Sequence, residues 1–346
     1  MQAVILAGGK GTRLRPLTVY TPKPIVPVVN RPFLLYQIEM LRMAGIGDIV
    51  LSLSYQPDKI EDLLGDGSDH GVSLTYITEP NPLGTGGAYR FAADTIRETT
   101  VVLNGDILTN VDLSSIIAFH REKNSAATLS LIPVEDPSAY GLVETGESGE
   151  ILRFLEKPKP EEAAKLKFNT VNAGIYILEP QIVDLIPAGE NRSFEYDVFP
   201  EILKKELPFY GFIMKGSYWR DLGNPASYLQ AHRDMLDGRL TGFVIDRSAA
   251  ADVATTASVD KASVIGEGAV IKPGARIERS VIGPGVYVEE KAVIRGSVIW
   301  SHARISSAAE ITDAVIGRSS FIGRNVTVNP GTVLGDKASI PDYSQV

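Results

Sequence analysis

Residues 263–317 read SVIGEGAVIKPGARIER, SVIGPGVYVEEKAVIRG, SVIWSHARISSAAEITD and AVIG, so one short anchor returns every 17 residues. Between anchors the aliphatic residues step by six, as in Ile265, Ile271 and Ile277, and the series continues to Ile340. Three short strands per coil, each with one inward aliphatic residue, is the hexapeptide pattern of a parallel β-helix. The sequence therefore predicts a β-helix over residues 241–346.

Residues 1–240 alternate instead between apolar runs and helical patterns. Strands are predicted at 2–7, 49–54, 72–77, 100–104, 126–133, 150–155, 171–178 and 209–214, and helical patterns at 31–46, 57–64, 86–96 and 225–236. Alternation of this kind is typical of an α/β domain whose mostly parallel sheet is covered on both faces. We therefore predict two domains, 1–240 and 241–346.

Composition excludes several classes of protein. The chain has 346 residues and no cysteine, so disulfides, thiolate nucleophiles and cysteine-ligated metal sites are ruled out. A formal charge of −8 argues against a nucleic-acid binder. The start, MQAVILAGG, is too short an apolar run for a signal peptide or a membrane span. We expect a cytoplasmic protein with no membrane or nucleic-acid partner.

The distribution of charge is more informative than the total. Residues 241–346 carry 11 basic and 11 acidic side chains, so the net charge of −8 belongs to residues 1–240. Within that acidic part, the first 23 residues hold Lys10, Arg13, Arg15 and Lys23 and no acid. Local basicity inside an acidic domain indicates a small anionic ligand, although a solvated basic loop has the same composition.

A glycine-rich loop, LAGGKGTRLRPLT (6–18), follows the first predicted strand. It matches neither the P-loop pattern nor the three-glycine dinucleotide pattern. Its position at the carboxyl end of a strand is nevertheless where open α/β sheets bind ligands. Backbone N–H groups at Gly8, Gly9 and Gly11 would approach phosphate oxygens, while Arg13 and Lys23 would neutralise their charge.

Two aspartates stand where apolar runs end. Asp106 closes VVLNGD, and Asp221 lies in YWRDLG. An aspartate after a strand is commonly a turn former. Carboxylates from separate strands are also what Mg²⁺ accepts together with substrate phosphates. From the residues alone, both interpretations stand.

The full set of motifs resembles the sugar-1-phosphate nucleotidylyltransferases, which join an NTP to a sugar 1-phosphate and release pyrophosphate. The resemblance spans the chain and includes, in order, GGKGTRLRPLT, PKP (22–24), PLGTGGA (82–88), LNGD (103–106), YG (140–141), EKP (156–158), NAG (172–174) and WRDLG (219–223). It implies a Rossmann-like, mostly parallel sheet domain followed by a left-handed parallel β-helix of hexapeptide repeats.

The same resemblance implies residue roles. Arg13, Lys23 and Asp106 would be catalytic, and Asp106 with Asp221 would hold Mg²⁺. The nucleotide would be bound by Leu6, Ala7, Gly8, Gly9, Gly11, Thr12, Arg13, Lys23, Glu79 and Gly84. The sugar 1-phosphate would be bound by Gly141, Glu156, Lys157 and Asn172. The histidines at 70, 120, 232 and 302 lie outside every motif and receive no role.

The base is suggested by Glu79, which lies five residues before Gly84, where uridylyl and thymidylyl relatives have Gln. Guanine presents two adjacent donors, which a carboxylate accepts, whereas uracil and thymine flank one N–H with carbonyls. This favours GTP, and the local phrasing resembles mannose-1-phosphate guanylyltransferases. A Glu without ligand contact is the opposing interpretation. Phe194 also departs from the small hydroxyl residue that many of those enzymes carry.

Three alternatives remain. In the first, the substrates are dTTP or UTP with glucose 1-phosphate. In the second, the chain is a catalytically silent regulatory or scaffold subunit. In the third, the β-helix transfers acetyl groups. The third is disfavoured because the repeats contain only His302 and are few. The presence of Arg13, Lys23, Asp106, Lys157 and Asp221 argues against the second. We expect a homo-oligomer, since the open end of a β-helix needs covering.

Overall fold

The structure, a computed structural model, describes residues 1–136, 140–156 and 168–346. Contact density divides the chain into two compact units, one made of Met1–Gly9 and Gln37–Trp219 and the other of Lys10–Tyr36 and Arg220–Val346. The second unit therefore contains the predicted β-helix together with most of the glycine-rich loop and its cations. The boundary predicted at residue 240 follows the sequence repeat, whereas this division follows packing.

Elements up to residue 236 alternate as the sequence predicts. In chain order they are β1 (Gln2–Leu6), β2 (Pro27–Val28), β3 (Arg31–Pro32), α1 (Leu34–Met43), β4 (Asp48–Leu53), α2 (Pro57–Leu64), β5 (Ser73–Thr78), α3 (Gly84–Phe91), β6 (Thr100–Asn104), β7 (Ile107–Thr109), α4 (Leu113–Glu122), β8 (Ala127–Pro133), β9 (Gly141–Thr145), β10 (Ile151–Glu156), β11 (Thr170–Leu178), α5 (Phe199–Lys204), β12 (Phe209–Ile213), β13 (Trp219–Asp221) and α6 (Pro225–Leu236). The predicted α/β class is confirmed. The sequence patterns did not predict the helices α4 and α5, the strand β9 or the short strands β2, β3, β7 and β13.

The main sheet of the first unit is mixed. Its strands run in the order β10-β9-β11-β6-β1-β4-β5, and β8 adds to β11 with β12 beyond it. The pairs β6–β1, β1–β4 and β4–β5 are parallel, whereas β11 runs antiparallel to β6. Ala3, Val4 and Ile5 are consecutive residues of β1 that point to alternate faces of this sheet, and all three are fully buried. Burial on both faces explains why these strands read as continuous apolar runs.

The second unit contains the parallel β-helix that the 17-residue period predicts. Short strands stack into three parallel sheets, β14-β17-β20-β23-β26-β29, β15-β18-β21-β24-β27 and β16-β19-β22-β25-β28. Their bounds are Asp252–Val253, Ser258–Val259, Val264–Ile265, Val270–Ile271, Arg276–Glu278, Val281–Ile282, Tyr287–Val288, Val293–Arg295, Val298–Ile299, Arg304–Ile305, Glu310–Thr312, Val315–Ile316, Phe321–Ile322, Thr327–Val328, Val333–Leu334 and Ser339–Ile340 for β14 to β29.

Equivalent residues of successive coils pair directly, which is why the repeat in sequence becomes a stack in space. Ile282 pairs with Ile299, and Ile299 pairs with Ile316. All three side chains are fully buried in the core of the β-helix.

The hairpin β2–β3 lies in the same unit and packs against α6 and the β-helix. Tyr228 of α6 donates its hydroxyl to the carbonyl of Pro27. Trp300, from a β-helix corner, donates Nε1–H to the Tyr228 hydroxyl at 3.0 Å. Asn30, at the hairpin turn, donates Nδ2–H to the carbonyl of Ile282 at 2.9 Å. The chain around Lys23 is therefore tied to the β-helix by hydrogen bonds on its carboxyl side.

Across the described ranges, helices are all too short or too polar to cross a bilayer.

Candidate active site

The carboxyl ends of four neighbouring parallel strands form one edge of the first unit's sheet. Leu6 of β1 pairs with Asn104 of β6 on one side and with Ser52 of β4 on the other. Chain order therefore reverses around β1, with β4 and β5 on one flank and β6 on the other. In open α/β sheets, ligands bind in the crevice at such a reversal.

Gly8 lies two residues after the end of β1 and faces Glu79, the residue that follows β5. A Cβ added at Gly8 would be 3.0 Å from Oε1 of Glu79 and 3.1 Å from Oγ of Ser54. Ser54 also donates its hydroxyl to the carbonyl of Gly8. The glycine thus leaves space for a buried carboxylate beside the loop. Gly9, the next residue, is exposed.

Glu79 is held by donors from two segments. Oε1 accepts the Ser52 hydroxyl at 3.0 Å, and Oε2 accepts the backbone N–H of Leu83 at 3.1 Å. Its exposed fraction is only 7%. A solvent-facing Glu is therefore excluded. Because an ionised carboxylate offers about four acceptor positions, two positions remain beyond these protein donors.

Asp106 is fixed at the same edge by its neighbour. The backbone N–H of Gly105 donates to the carbonyl of Leu6 at 2.9 Å, which joins the end of β6 to the end of β1. Asp106 itself is half-buried. The first unit therefore brings together Leu6, Ala7, Gly8, Glu79 and Asp106, five of the residues predicted from sequence.

Gly84 begins α3, the helix that follows Glu79 in the chain. Its φ of +72° suits glycine, and a Cβ there would lie 2.5 Å from the carbonyl oxygen of Arg192. The N–H of Gly87 donates to that same carbonyl at 3.0 Å, and the N–H of Arg192 donates to Leu83 at 2.8 Å. The glycines of PLGTGGA thus allow the segment around Arg192 to approach the helix N-terminus, a packing role that the sequence analysis did not foresee.

The predicted phosphate loop continues into the second unit. Gly11, with φ +61°, precedes a short 3₁₀ turn, Thr12–Leu14, and its carbonyl accepts the Thr18 hydroxyl at 2.7 Å. A Cβ on Gly11 would lie 3.0 Å from Cβ of Lys23, so the backbone at Gly11 packs closely against the Lys23 side chain. Lys23 is 9% exposed. Thr12 and Arg13, in contrast, are exposed.

Gly141 and Glu156 lie opposite each other on the antiparallel strands β9 and β10. A Cβ at Gly141 would collide with Oε2 of Glu156. The Gly of YG and the Glu of EKP are therefore neighbours across two strands, a pairing that the motifs did not predict. Lys157, the next residue of that motif, lies outside the described residues.

Asn172 belongs to a polar network that the sequence analysis missed. Its Nδ2 donates to the Tyr176 hydroxyl at 2.9 Å, and that hydroxyl donates to Oε1 of Glu195 at 3.3 Å. Oε2 of Glu195 accepts Thr85 at 3.2 Å and Ser193 at 2.6 Å. Burial, reinforced by the Glu195 charge, holds the pKa of Tyr176 well above its ordinary value, so Tyr176 remains a donor.

The unexpected Phe194 has a structural explanation. It is fully buried, and its ring centroid lies 5.2 Å from that of Tyr176 and 5.4 Å from that of Phe199. Ser193 beside it caps the following π-helical turn by accepting the N–H groups of Glu195 and Tyr196. The aromatic residue thus completes the core, while the adjacent serine supplies the hydroxyl.

Asp221 lies in the second unit, just before α6. A Cβ on Gly223 would be 2.8 Å from its Oδ2, so this glycine keeps space clear beside the carboxylate. Ser227 donates its hydroxyl to the Asp221 carbonyl, which fixes the backbone there. Asp221 is half-buried.

Each compact unit contains a half-buried aspartate whose chemistry suits a magnesium ion. No cluster of three or more His, Asp or Glu side chains is arranged for a metal among the residues that the structure describes. Mg²⁺ is commonly held by one or two carboxylates plus phosphates and water. Asp106, in the first unit, and Asp221, the last residue of β13 in the second, are carboxylates of that kind, and each is half-buried.

Comparison with known proteins bears on both units. Residues 2–238 match a family model described as nucleotidyl transferase, and residues 245–346 match one described as EIF2B subunit epsilon LbH domain. The chain is 38% identical over 290 residues to a mannose-1-phosphate guanylyltransferase of Mycobacterium tuberculosis, covering 80% of this chain and 78% of that protein.

Two further relatives are named for different nucleotide and sugar substrates. Mannose-1-phosphate guanylyltransferase 1 of Arabidopsis thaliana is 33% identical over 348 residues, covering 99% of this chain and 93% of that protein. A UTP–glucose-1-phosphate uridylyltransferase of Synechocystis is 38% identical over 259 residues, covering 71% of this chain and 66% of that protein.

Proposed function

We propose that this chain, which belongs to the nucleotidyl transferase family, transfers a guanylyl group from GTP to mannose 1-phosphate. It also carries a left-handed β-helix (LbH) domain. The reaction forms GDP-mannose and releases pyrophosphate. Relatives named mannose-1-phosphate guanylyltransferase support the choice, since one of them aligns over 99% of this chain.

The observation that carries the choice of base is the buried carboxylate of Glu79 beside Gly8. Its two oxygens are oriented by Ser52 and Leu83, and each retains acceptor capacity. The N1–H and amino group of guanine are adjacent donors that such a carboxylate satisfies. Uracil and thymine would instead set a carbonyl oxygen against it, which costs affinity.

In the proposed reaction, a phosphate oxygen of mannose 1-phosphate attacks the α-phosphorus of GTP. The new P–O bond forms as the bond between the α-phosphorus and the α–β bridging oxygen breaks, and pyrophosphate leaves with that electron pair. Because attacking and leaving groups are both anionic, catalysis depends on positioning and on neutralising charge. We assign that task to Arg13 and Lys23, with the N–H groups of Gly8, Gly9 and Gly11 facing phosphate oxygens and Leu6, Ala7, Thr12 and Gly84 lining the nucleotide site.

Nucleotidyl transferases of this kind generally use a divalent metal ion. We propose Mg²⁺, held by Asp106 and Asp221. When bound, it would offset negative charge on the phosphate oxygens. The two carboxylates would serve to hold the ion.

The sugar 1-phosphate is assigned to the Gly141–Glu156 pair and Asn172. Glu156 and Asn172 would accept or donate hydrogen bonds to sugar hydroxyls, while Gly141 offers backbone at close range. Lys157 would bind the sugar's phosphate as a cation. The ordered network behind Asn172 keeps its amide oriented, since Oδ1 accepts the N–H of Gly174 at 3.0 Å.

The test is pyrophosphate release from the full chain with Mg²⁺ and a panel of GTP, UTP, dTTP and ATP, each with mannose 1-phosphate and glucose 1-phosphate. Highest kcat/KM for GTP with mannose 1-phosphate would support the proposal. Preference for UTP or dTTP with glucose 1-phosphate would replace it with the other transferase assignment. Absence of release with every pair would favour a regulatory subunit. Self-association through the β-helix stays a prediction, checked by measuring mass in solution.

A further inference from the structure

A corner of the β-helix contacts the loop that carries Arg13 and Lys23. A Cβ added at Gly335 would lie 3.0 Å from Cβ of Pro16, and Thr21 donates its hydroxyl to Oδ2 of Asp336 at 3.4 Å. The ammonium of Lys337 lies 5.8 Å from the ring centroid of Tyr20. We call Gly335–Lys337 the loop-contact corner. All of these residues belong to the second compact unit.

The loop-contact corner is itself held firmly by the coil before it. Oδ1 of Asp336 accepts the backbone N–H of Arg318 at 2.8 Å, and the N–H of Lys337 donates to the Arg318 carbonyl at 2.8 Å. One oxygen of Asp336 therefore fixes the corner, which leaves the other for the loop. Because the preceding coil holds the Asp336 carboxylate, this side chain cannot move freely toward Thr21. The position of the corner therefore constrains the position of the loop.

On the loop side, the contact is close to the predicted phosphate-binding cation. Thr21 is 3% exposed and lies two residues before Lys23, whose Cβ packs against Gly11. A shift of Thr21 would therefore move Lys23 and, through Gly11, the turn that carries Arg13. Displacements of about 1 Å at positioning groups can cost on the order of 100-fold in rate.

We propose that Asp336 is a positioning residue for the nucleotide: the loop-contact corner sets the placement of Arg13 and Lys23 without touching substrate. This rests on the proposed function for its kinetic consequence, but the physical statement concerns only the order of residues 10–25. The β-helix would then contribute to catalysis by placing this loop rather than serve solely as a spacer or an assembly surface.

The chain provides a matched control at Asp342. It occupies the same corner position six residues later, and its Oδ1 likewise accepts a backbone N–H, that of Arg324, at 2.8 Å. Its other oxygen pairs with the Arg324 side chain, not with the loop. Asp336→Ala and Asp342→Ala therefore remove similar corner bonds, and only the first removes the loop bond.

The experiment measures full-length variants in two ways. We expect Asp336→Ala and Thr21→Val to lower kcat/KM for GTP by about threefold to tenfold, the effect of losing one ordinary hydrogen bond, since this contact is long at 3.4 Å. KM for mannose 1-phosphate should change by less than twofold. Asp342→Ala should match wild type. Thr21→Ser, which keeps the hydroxyl, should have the activity that Thr21→Val lacks. The double variant Thr21→Val/Asp336→Ala should be no less active than either single variant.

Hydrogen exchange supplies a readout independent of activity. Amides within residues 10–25 should exchange faster in Asp336→Ala than in wild type or Asp342→Ala. Equal exchange and equal kinetics for the two alanine variants would overturn the proposal, as would failure of Thr21→Ser to restore activity. If the wild-type protein releases no pyrophosphate from any pair, the proposed function fails, while the exchange comparison still decides the positioning role.

Discussion

Ser52 at the end of β4 donates its hydroxyl to Glu79 at the end of β5, with 3.0 Å between oxygens. The contact joins two parallel strands just where their side chains meet the glycine loop. It also orients one carboxylate oxygen, while Leu83 orients the other. A side chain fixed on two sides and nearly buried is suited to discriminate between ligands, because it cannot rotate to accommodate a mismatched partner.

Replacing Glu79 by Gln should reduce the preference for GTP. The Leu83 N–H can only donate, so the amide oxygen must face it, and the amide nitrogen then faces Ser52. The variant loses one acceptor and gains a donor toward the base. We expect the ratio of kcat/KM for GTP to that for UTP to fall about 10-fold to 100-fold, the effect of losing a charged hydrogen bond.

The control for that comparison is Ser52→Ala, which keeps the carboxylate and removes only one of its positioning bonds. It should lower the GTP:UTP ratio by less than the Gln variant does. An unchanged ratio in Glu79→Gln would show that this side chain does not read the base.

Asp106→Asn should abolish most activity and leave the fold intact. The substitution removes a negative charge from a proposed metal ligand while the Gly105–Leu6 bond still holds the backbone. We expect pyrophosphate release to fall about 100-fold or more, in line with loss of a key electrostatic group. Thermal unfolding should be unchanged. Asp94→Asn, at an exposed position of the same unit, is the control; wild-type turnover in Asp106→Asn would contradict the metal role.

Gly84→Ala should destabilise the protein more than Gly45→Ala. Both glycines have φ near +75°, namely +72° and +77°, so both variants incur the backbone cost of about 1 kcal/mol for a left-handed alanine. Only Gly84 also faces the Arg192 carbonyl, at 2.5 Å from an added Cβ, whereas Gly45 has open space. We expect about 2 kcal/mol or more of additional loss in the free energy of unfolding, measured by denaturant titration. Equal losses would mean that the Arg192 segment moves aside without cost.

His232 should make the protein less stable in acid. It is fully buried on α6, its Nδ1 accepts the Val29 N–H at 3.4 Å, and burial lowers its pKa to about 3. An unfolded chain takes up this proton near pH 6.5, whereas the folded chain does not until about pH 3. Stability from this group is therefore complete above about pH 6.5 and lost as pH falls toward 3, by up to about 1.4 kcal/mol per pH unit.

The measurement compares thermal unfolding of wild type and His232→Gln between pH 7 and pH 4. Gln does not titrate and retains an acceptor for Val29, so its stability should decline less steeply. His120, whose pKa burial also lowers, contributes in the same direction in both proteins and cancels in the comparison. Parallel curves would show that His232 does not contribute to the acid sensitivity.

Local patterns were sufficient to predict much of this structure. The repeat of Ile282, Ile299 and Ile316 specifies a stack because each coil needs the same inward residue at the same place. Likewise Gly8 and Asp106 follow apolar strands, and parallel strands place their carboxyl ends at one edge. These inferences use spacing within a single segment, which sequence displays directly.

Contacts between distant segments were not predictable in this way. Nothing near Gly84 in sequence indicates that the segment around Arg192 packs against it. The role of Glu195 likewise becomes visible only in the structure, where its carboxylate accepts hydrogen bonds from Thr85 and Tyr176. The same holds for residues 10–36, which pack with the β-helix although they are separated from it by the whole sheet in sequence. Such pairings are set by tertiary packing, which periodicity does not encode.

The Thr21–Asp336 contact spans 315 positions of the chain. During synthesis, the ribosome adds about 5 to 20 residues per second, so Thr21 waits roughly 15 to 60 seconds before its partner exists. The basic loop therefore gains this contact only after translation has passed residue 336. A chain interrupted before this corner would contain the basic loop without its lateral support. The order of translation itself delays the finished loop until the corner has been made.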